Sequence, residues 1–192
     1  MFDEAIKRRL QAGIQHSVDP ETSDSAVLIG LTAGVDGKII LTQRAGHMNS
    51  HAGEVAFPGG RREPGDQSLL NTALRETEEE IGLPTTAVDV VCPLPQVVTR
   101  HGVTVTPFFG LVPEQPSLTA NPQELDAVFC VPVAWLTDAS NLTIDVFDDA
   151  KRTYQVPSFI YQEFRIWGIT AMMLFDFLNL AFAADLKLPH EV

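Results

Sequence analysis

Residues 53–83, GEVAFPGGRREPGDQSLLNTALRETEEEIGL, lead from a loop rich in glycine and proline into a strongly acidic segment. One arginine and four glutamates occupy five of six consecutive positions there: Arg75, Glu76, Glu78, Glu79 and Glu80. Like charges three or four residues apart on a helix repel one another. The segment is therefore either an acidic face kept in water or a set of ligands for a cation.

The residues around the acidic segment predict a helix over 67–82. Asp66 follows a Pro-Gly turn and is a suitable N-cap for this helix. Apolar and small residues recur at helical spacing and form the predicted core-facing stripe: Leu70, Ala73, Leu74, Thr77 and Ile81. Gly82 is expected to end the helix, and Pro84 prevents its continuation.

Three of the glutamates lie on one face of this predicted helix. Glu76, Glu79 and Glu80 are three and four positions apart, which brings their carboxylates together beside the apolar stripe. Hard divalent cations such as Mg²⁺ bind carboxylate and water oxygens and bridge to substrate phosphates. The glycines before the helix let the backbone approach a ligand closely. The pattern indicates a metal site at the end of the helix, with a solvated acidic face as the alternative.

Composition and charge restrict the class of ligand. The chain has 192 residues, 45% hydrophobic and 20% charged, which is typical of one globular domain with a substantial core. Its formal net charge of -12 disfavours nucleic acid as a partner, because such binding depends on neutralising phosphates with Lys and Arg. If the ligand is itself anionic, a metal ion has to supply the missing positive charge.

Nothing in the sequence predicts secretion or a membrane partner. The N-terminus, MFDEAIKRRLQAGIQ, lacks the apolar core of a signal peptide. The longest apolar stretch, IWGITAMMLFDFLNLAFAA, carries Asp176 and Asn179 in its interior. A charge near a bilayer centre costs about 3 kcal/mol, so we expect a buried helix and a cytoplasmic protein. Cys92 and Cys130 lie in apolar runs and predict two buried thiols rather than a disulfide or a zinc site.

The order of predicted elements indicates an α+β fold. Three segments have helix character: 3–15, 67–82 and 166–186. Seven runs have strand character: AVLIGLTAG, KIILTQRA, VDVVCPLPQVV, VTVTPFFGLV, LDAVFCVPV, NLTIDVF and RTYQVPSFI. Asp36 and Gly37 predict a hairpin between the first two runs. We expect an N-terminal helix and linker, a main domain and a tail, over 1–24, 25–186 and 187–192.

The acidic segment resembles the Nudix box, which ends in Arg-Glu-apolar-any-Glu-Glu-any-Gly-apolar. Residues 75–83, RETEEEIGL, match this second half, with Thr77 at the first apolar position. The first half of the box is a Gly, five residues, a Glu, and then seven residues before the Arg. In this chain Gly60 and Asp66 keep the five-residue spacing. Eight residues rather than seven then lead to Arg75, and Asp replaces the usual Glu. The one-residue insertion changes the start of the helix and leaves its acidic face intact.

The preceding segment, LTQRAGHMNSHAGEVAFPGG over 41–60, resembles the motif found before the box in the coenzyme A pyrophosphatases of the Nudix family. The matching residues are Leu41, Thr42, Arg44, Gly53, Phe57, Pro58, Gly59 and Gly60. Three positions depart from the motif: Ile40 replaces a Leu, Ala45 a Ser and Asn49 a second Arg. The runs VTPFFGLVP and FRIWGITAMM resemble the same subgroup, so the resemblance spans 25–182.

This resemblance implies a Nudix fold, in which a mixed β-sheet is sandwiched between α-helices. It also implies hydrolysis of a nucleoside diphosphate derivative by water, with Mg²⁺ or Mn²⁺ as the cofactor. The implied metal ligands are Glu76 and Glu80, with Glu79 sharing or extending the site. Glu76 is alternatively the base that activates water. Arg75 would orient a carboxylate through a charge-assisted hydrogen bond.

Four further residues enter the site through the resemblance. Gly59 and Gly60 would lie beside the metal and the substrate and offer a backbone carbonyl. Arg44 would contact a substrate phosphate, and Glu124 would be an additional ligand or base. For Glu124, an exposed acidic residue before a strand is the alternative.

The implied substrate is coenzyme A or an acyl derivative, cleaved to adenosine 3′,5′-bisphosphate and 4′-phosphopantetheine. The alternatives are a Nudix hydrolase of another dinucleotide, such as NADH or ADP-ribose, and a Nudix domain that binds a ligand without cleaving it. An acidic protein-interaction helix is a further alternative. The expected partner is a small nucleotide, and a homodimer is an arrangement open to the chain.

Overall fold

The computed structural model describes residues 2–13, 22–48, 50–149 and 152–188. Its helices, numbered in chain order, are α1 Phe2–Gly13, α2 Leu69–Ile81, α3 Val133–Leu136 and α4 Gly168–Phe182. The three predicted helices are confirmed, although α2 and α4 are each shorter than expected, and α3 was not predicted. The predicted end of the first helix and Asn49 lie outside the described residues.

All seven runs with strand character contain a strand, VDVVCPLPQVV contains two, and three short strands were not predicted. The strands in chain order are β1 Ser25–Thr32, β2 Lys38–Arg44, β3 Val55–Ala56, β4 Gly59–Arg61, β5 Asp89–Pro93, β6 Val97–Val98, β7 Thr104–Val112, β8 Leu125–Pro132, β9 Leu142–Asp149, β10 Arg152–Tyr161 and β11 Phe164–Ile166. The missed strands, β3, β4 and β11, have two or three residues each. So short a strand shows no alternation of its own and forms through its partner strand.

The main sheet is mixed, as predicted. Its central path runs β3-β2-β1-β7-β5, and β4, β6 and β8 pair with β1, β7 and β2. β1 is antiparallel to β2, which confirms the hairpin, and parallel to β7 along its whole length. The strands β9, β10 and β11 form a second, antiparallel sheet. The α+β fold class is therefore confirmed.

Side chains of β1 alternate between two cores, so helices cover both faces of the main sheet. Ile29 and Leu31 pack in a core shared with α1 and α4. Ala26 and Leu28 lie on the opposite face, in contact with the clusters to which α2 contributes. All four side chains are fully buried. This two-sided burial explains why β1 reads as a nearly continuous apolar run, and it fixes α2 against the sheet.

The N-cap of α2 is Ser68, so the prediction that Asp66 caps this helix is wrong. Ser68 has an extended backbone, and its Oγ accepts a hydrogen bond from the Asn71 N–H at 3.2 Å. Asp66 forms an ion pair with Arg75 instead. At the other end, Gly82 has a left-handed φ of 68° and closes the helix, as predicted.

The buried stripe of α2 also differs from the predicted stripe. Leu70 and Leu74 are only half-buried. The buried residues are Leu69, Thr72, Ala73, Thr77, Glu80 and Ile81. The buried face is therefore rotated toward Thr72 and Glu80, which places a carboxyl group inside the protein.

The apolar C-terminal segment forms α4, whose core-facing side is buried by α1 and the sheets. The helix ends at Phe182 rather than near 186, because Ala183 adopts a left-handed φ of 52°. Asn179 stabilises this end through two hydrogen bonds to the backbone of Leu186. None of the helices in the described residues combines the length and hydropathy that a membrane span requires.

The two cysteines are free thiols, but both are half-buried rather than fully buried as predicted. Burial raises the pKa of Cys92 to about 11 and also raises the pKa of Cys130. Both thiols are therefore protonated and unreactive near neutral pH.

Candidate active site

The site begins with the Gly59–Gly60 pair, which brings β4 against β1. Gly59 pairs with Val27 across the strands and has a φ of +149°. A Cβ atom at Gly59 would clash with the backbone oxygen of Ala26 and lie 2.6 Å from the Cα of Val27. Only glycine can adopt this conformation at this distance.

The same glycine pair contacts two glutamates of α2. The Gly59 N–H donates a hydrogen bond to Oε2 of Glu80 at 3.1 Å. A Cβ atom at Gly60 would overlap the Glu76 carboxylate, with Oε2 of Glu76 2.6 Å away. The absence of a side chain at Gly60 therefore leaves the space that the Glu76 carboxylate occupies. Gly59 and Gly60 therefore lie beside Glu76 and Glu80, and their role toward a metal and a substrate stays a prediction.

Glu76, Glu80 and Glu124 form an acidic cluster. Glu80 is its most deeply buried member, with 4% of its side chain exposed. Burial raises its pKa to about 7, and the negative charges of Glu76 and Glu124 add to the rise. The hydrogen bond from Gly59 and the guanidinium of Arg44 act in the opposite direction. Arg44 Nη1 lies 4.0 Å from Oε1 of Glu80, at the edge of ion-pair distance. The local positive charge therefore does not neutralise Glu80.

Glu76 and Glu79 differ in their surroundings. Burial raises the pKa of Glu76, and a 3.0 Å contact between its Oε1 and Arg75 Nη2 opposes the rise. Glu79 is mostly exposed, and its Oε2 accepts a hydrogen bond from Arg75 Nη1 at 3.0 Å. The structure thus places Glu76 with Glu80 in the cluster, whereas Glu79 lies at its outer rim beside Arg75.

Arg75 is held in place by Asp66. The Nε and Nη2 atoms of Arg75 donate to the two carboxylate oxygens of Asp66 at 3.0 and 3.1 Å. Asp66 also accepts from the Thr72 hydroxyl and the Glu63 N–H. The Arg75 guanidinium holds the pKa of Asp66 well below its usual range. Sequence reasoning missed this role, although the acidic position in the first half of the box was the available signal.

Glu124 reaches the cluster through the loop that follows β7. The Asn121 N–H donates to the backbone oxygen of Glu80 at 2.8 Å, and the Thr119 N–H donates to that of Ile81 at 2.9 Å. These bonds satisfy carbonyls at the C-terminal end of α2. Glu124 is half-buried, and its charge contributes to the raised pKa values of both Glu76 and Glu80.

The donor chemistry of this cluster fits a hard divalent cation. The negative charge of Glu124 raises the pKa of both Glu76 and Glu80, and a bound cation would offset that repulsion. As they stand, no three His, Cys, Asp or Glu side chains in the described part of the chain are arranged to hold a metal ion. The assignment of Glu76, Glu79 and Glu80 as ligands stays a prediction.

Comparison with known proteins identifies the family. The model of the NUDIX domain matches residues 23–152. The chain is 36% identical over 177 residues to a Yersinia enterocolitica protein named uncharacterized Nudix hydrolase NudL, covering 90% of this chain and 89% of that protein. It is 39% identical over 153 residues to the Photorhabdus laumondii protein of the same name, covering 78% and 80%.

A solved structure supports the same fold. The MutT/nudix family protein from Enterococcus faecalis aligns with a TM-score of 0.53 at 16% identity, covering 90% of this chain and 66% of that one. At this identity the likeness speaks for the fold alone. The matched domain includes the glycine pair, the acidic helix and Glu124, and Nudix hydrolases generally use divalent metals. On the domain match and the sequence identity to named relatives, the chain belongs to the Nudix hydrolase family.

Proposed function

We propose that this Nudix hydrolase cleaves the pyrophosphate bond of coenzyme A or its acyl derivatives, with Mg²⁺ or Mn²⁺ as the cofactor. The observation that carries the hydrolytic part is the burial of Glu80 beside Glu76 and Glu124. Three acidic groups near one another with no full counter-charge make a site that favours a divalent cation, which in turn would attract a phosphate. The coenzyme A part rests on the motif over 41–60.

In this proposal Glu76 and Glu80 hold the metal, with Glu79 as a third ligand. When bound, a divalent ion supplies charge neutralisation on the phosphoryl oxygens and lowers the pKa of a bound water. The all-oxygen donor set suits both Mg²⁺ and Mn²⁺. Glu79 would serve the metal through Oε1, because its Oε2 accepts a hydrogen bond from Arg75 Nη1. Arg75, anchored by Asp66, keeps the Glu76 carboxylate oriented.

The proposed reaction is attack of water on one phosphorus of the pyrophosphate. A new P–O bond forms, the bridging P–O bond breaks, and two phosphate monoesters leave. The proton released by the water goes to a carboxylate, for which we propose Glu124, with Glu76 as the alternative base. Glu124 suits this role because it lies next to the metal-binding carboxylates without belonging to α2.

Arg44 is the proposed contact for a substrate phosphate. Its Nε is buried and has no hydrogen-bond partner among the described residues, and its Nη1 stays 4.0 Å from Glu80. A buried donor without a partner is costly, and a phosphate oxygen would satisfy it. The guanidinium therefore lies beside the carboxylates with donor capacity left for a ligand.

The test is a substrate panel of coenzyme A, dephospho-coenzyme A, ADP-ribose, NADH and nucleoside triphosphates, each with Mg²⁺ and with Mn²⁺. Products are resolved by chromatography. We expect coenzyme A to give adenosine 3′,5′-bisphosphate, with kcat/KM at least about tenfold above ADP-ribose, since unpaired polar groups discriminate strongly. A higher value for ADP-ribose or NADH would contradict the coenzyme A assignment. Absence of hydrolysis with either metal would favour a ligand-binding module.

A further inference from the structure

The edge of the main sheet next to Arg44 contains a β-bulge. In the antiparallel pair of β2 and β8, Gln43 lies opposite Ala127, and the next residue, Arg44, lies opposite Leu125. Asp126 is therefore the extra residue of β8 at this point. Bulges are frequent next to active sites, where they change the direction of a side chain.

The segment that follows Arg44 is bound to residues 123–126 by three hydrogen bonds. The Ala45 N–H donates to the backbone oxygen of Glu124 at 2.8 Å, and the Gly46 N–H donates to Oδ2 of Asp126 at 2.9 Å. The imidazole Nε2 of His47 lies 3.2 Å from the backbone oxygen of Gln123 and donates to it. The side chains of Asp126 and His47 thus connect the segment after Arg44 to the residues on either side of Glu124.

The chain before Glu124 is fixed to α2. The Asn121 N–H binds the backbone oxygen of Glu80, and the Glu124 N–H binds the backbone oxygen of Asn121 at 3.0 Å. Glu124 is therefore held from α2 on one side and from the end of β2 on the other. Glu124 itself lies in the loop, one residue before β8 begins.

We infer that Asp126 and His47 are positioning residues, which hold the Glu124 carboxylate against Glu76 and Glu80. The inference rests on the proposed role of Glu124 in hydrolysis. Each residue would act indirectly, by holding the backbone next to Glu124, because Asp126 binds the Gly46 N–H and His47 binds the Gln123 backbone oxygen. The bulge thereby couples the arginine proposed to bind phosphate to the acidic residue proposed to take the proton.

Kinetics test the inference with a rescue and a matched control. Asp126→Ala and His47→Ala should lower kcat about 10- to 100-fold, the usual effect of removing a partner that orients a catalytic group. KM should stay within about twofold, because neither side chain is proposed to bind substrate. Asp126→Asn keeps an acceptor oxygen and should restore most of kcat. Asp138→Ala removes a comparable aspartate-to-backbone hydrogen bond, to Ser140 at 2.9 Å, and should leave kcat unchanged.

A double-mutant cycle separates this inference from a general loss of structure. If Asp126 acts through Glu124, Asp126→Ala should have no further effect on kcat in the Glu124→Gln background. Multiplicative losses in the double variant would overturn the inference. Full activity of Glu124→Gln alongside a loss in Asp126→Ala would overturn it too.

A spectroscopic measurement decides the inference without turnover. The ¹³C carboxyl resonance of Glu124, assigned by its loss in Glu124→Gln, should shift in Asp126→Ala and His47→Ala and stay in place in Asp138→Ala. A resonance unmoved in both variants would overturn the inference. This measurement remains decisive even if no substrate in the panel is cleaved, an outcome that would refute only the proposed function.

Discussion

At the scale of single residues, Glu80 is where stability and function oppose each other. Its pKa rises from 4.5 to about 7 because the folded protein buries it. Between these pH values the folded, metal-free protein keeps a proton that the unfolded chain has released, so stability falls as pH rises through this window. The full cost, reached above about pH 7, is about 3 kcal/mol.

Glu80→Gln should therefore lower turnover and raise the stability of the metal-free protein. We expect kcat to fall by about two orders of magnitude or more, the scale of losing a charge-stabilising group. The melting temperature at pH 8 should exceed that of the wild type, and the two should converge near pH 4. Glu78→Gln, an exposed position on the same helix, is the matched control. Turnover near the wild-type value would remove Glu80 from the mechanism.

Arg44 is the second residue whose substitution is informative. If its unpartnered Nε and its Nη atoms bind a substrate phosphate, Arg44→Ala should raise KM for coenzyme A more than it lowers kcat. Arg44→Lys should recover little of the lost affinity, because an ammonium lacks the planar pair of donors. Steady-state kinetics with coenzyme A measure both effects. An unchanged KM in Arg44→Ala would exclude this arginine from substrate binding.

At the scale of elements, α2 has separate residues for its cap and for its active-site anchor. Ser68→Ala removes the cap and should cost about 1 kcal/mol of stability with little change in kcat. Asp66→Asn should lower both stability and kcat, because it breaks the paired contact with Arg75. Asparagine caps a helix as well as aspartate does, so a cap role for Asp66 predicts that this variant is tolerated. Thermal unfolding and kinetics of the two variants distinguish these roles.

The anchor also predicts an acid sensitivity opposite in sign to that of Glu80. The pKa of Asp66 is held low in the folded protein by Arg75, so its contribution is present above the usual aspartate pKa. That contribution is lost as pH falls below about 4. Asp66→Asn should abolish this part of the acid-induced loss of stability, measured as unfolding free energy between pH 5 and pH 2. An unchanged acid profile would contradict the anchor role.

At the scale of the whole molecule, the site joins β1, β2, α2 and the loop before β8, so metal binding should stabilise the entire fold. Mn²⁺ at one hundred times its Kd should raise the unfolding free energy by about 2.7 kcal/mol. The rise should be much smaller in Glu80→Gln and preserved in Glu78→Gln. Thermal unfolding with and without Mn²⁺ measures it. An equal rise in Glu80→Gln would show that the metal binds elsewhere.

Local patterns along the chain were enough to determine the three long helices, the seven main strands and the acidic face of α2. Helical spacing and alternation are properties of neighbouring residues, so they are legible without the fold. The acidic segment Arg75–Glu80 and its resemblance to the Nudix box are likewise properties of neighbouring residues. The short strands β3, β4 and β11 do not, because a strand of two or three residues shows no alternation of its own and forms through its partner strand.

Only the tertiary structure decided which groups meet at the site. Asp66 binds Arg75 rather than the helix N-terminus, because the fork of a guanidinium offers two charged donors where the cap offers one neutral N–H. Glu124 comes beside Glu80 because the loop before β8 satisfies the last carbonyls of α2. Glu80 is buried because α2 turns that side to the Gly59–Gly60 pair. Each of these contacts joins residues on different elements or loops, and helical or strand spacing within one segment does not show which of them meet.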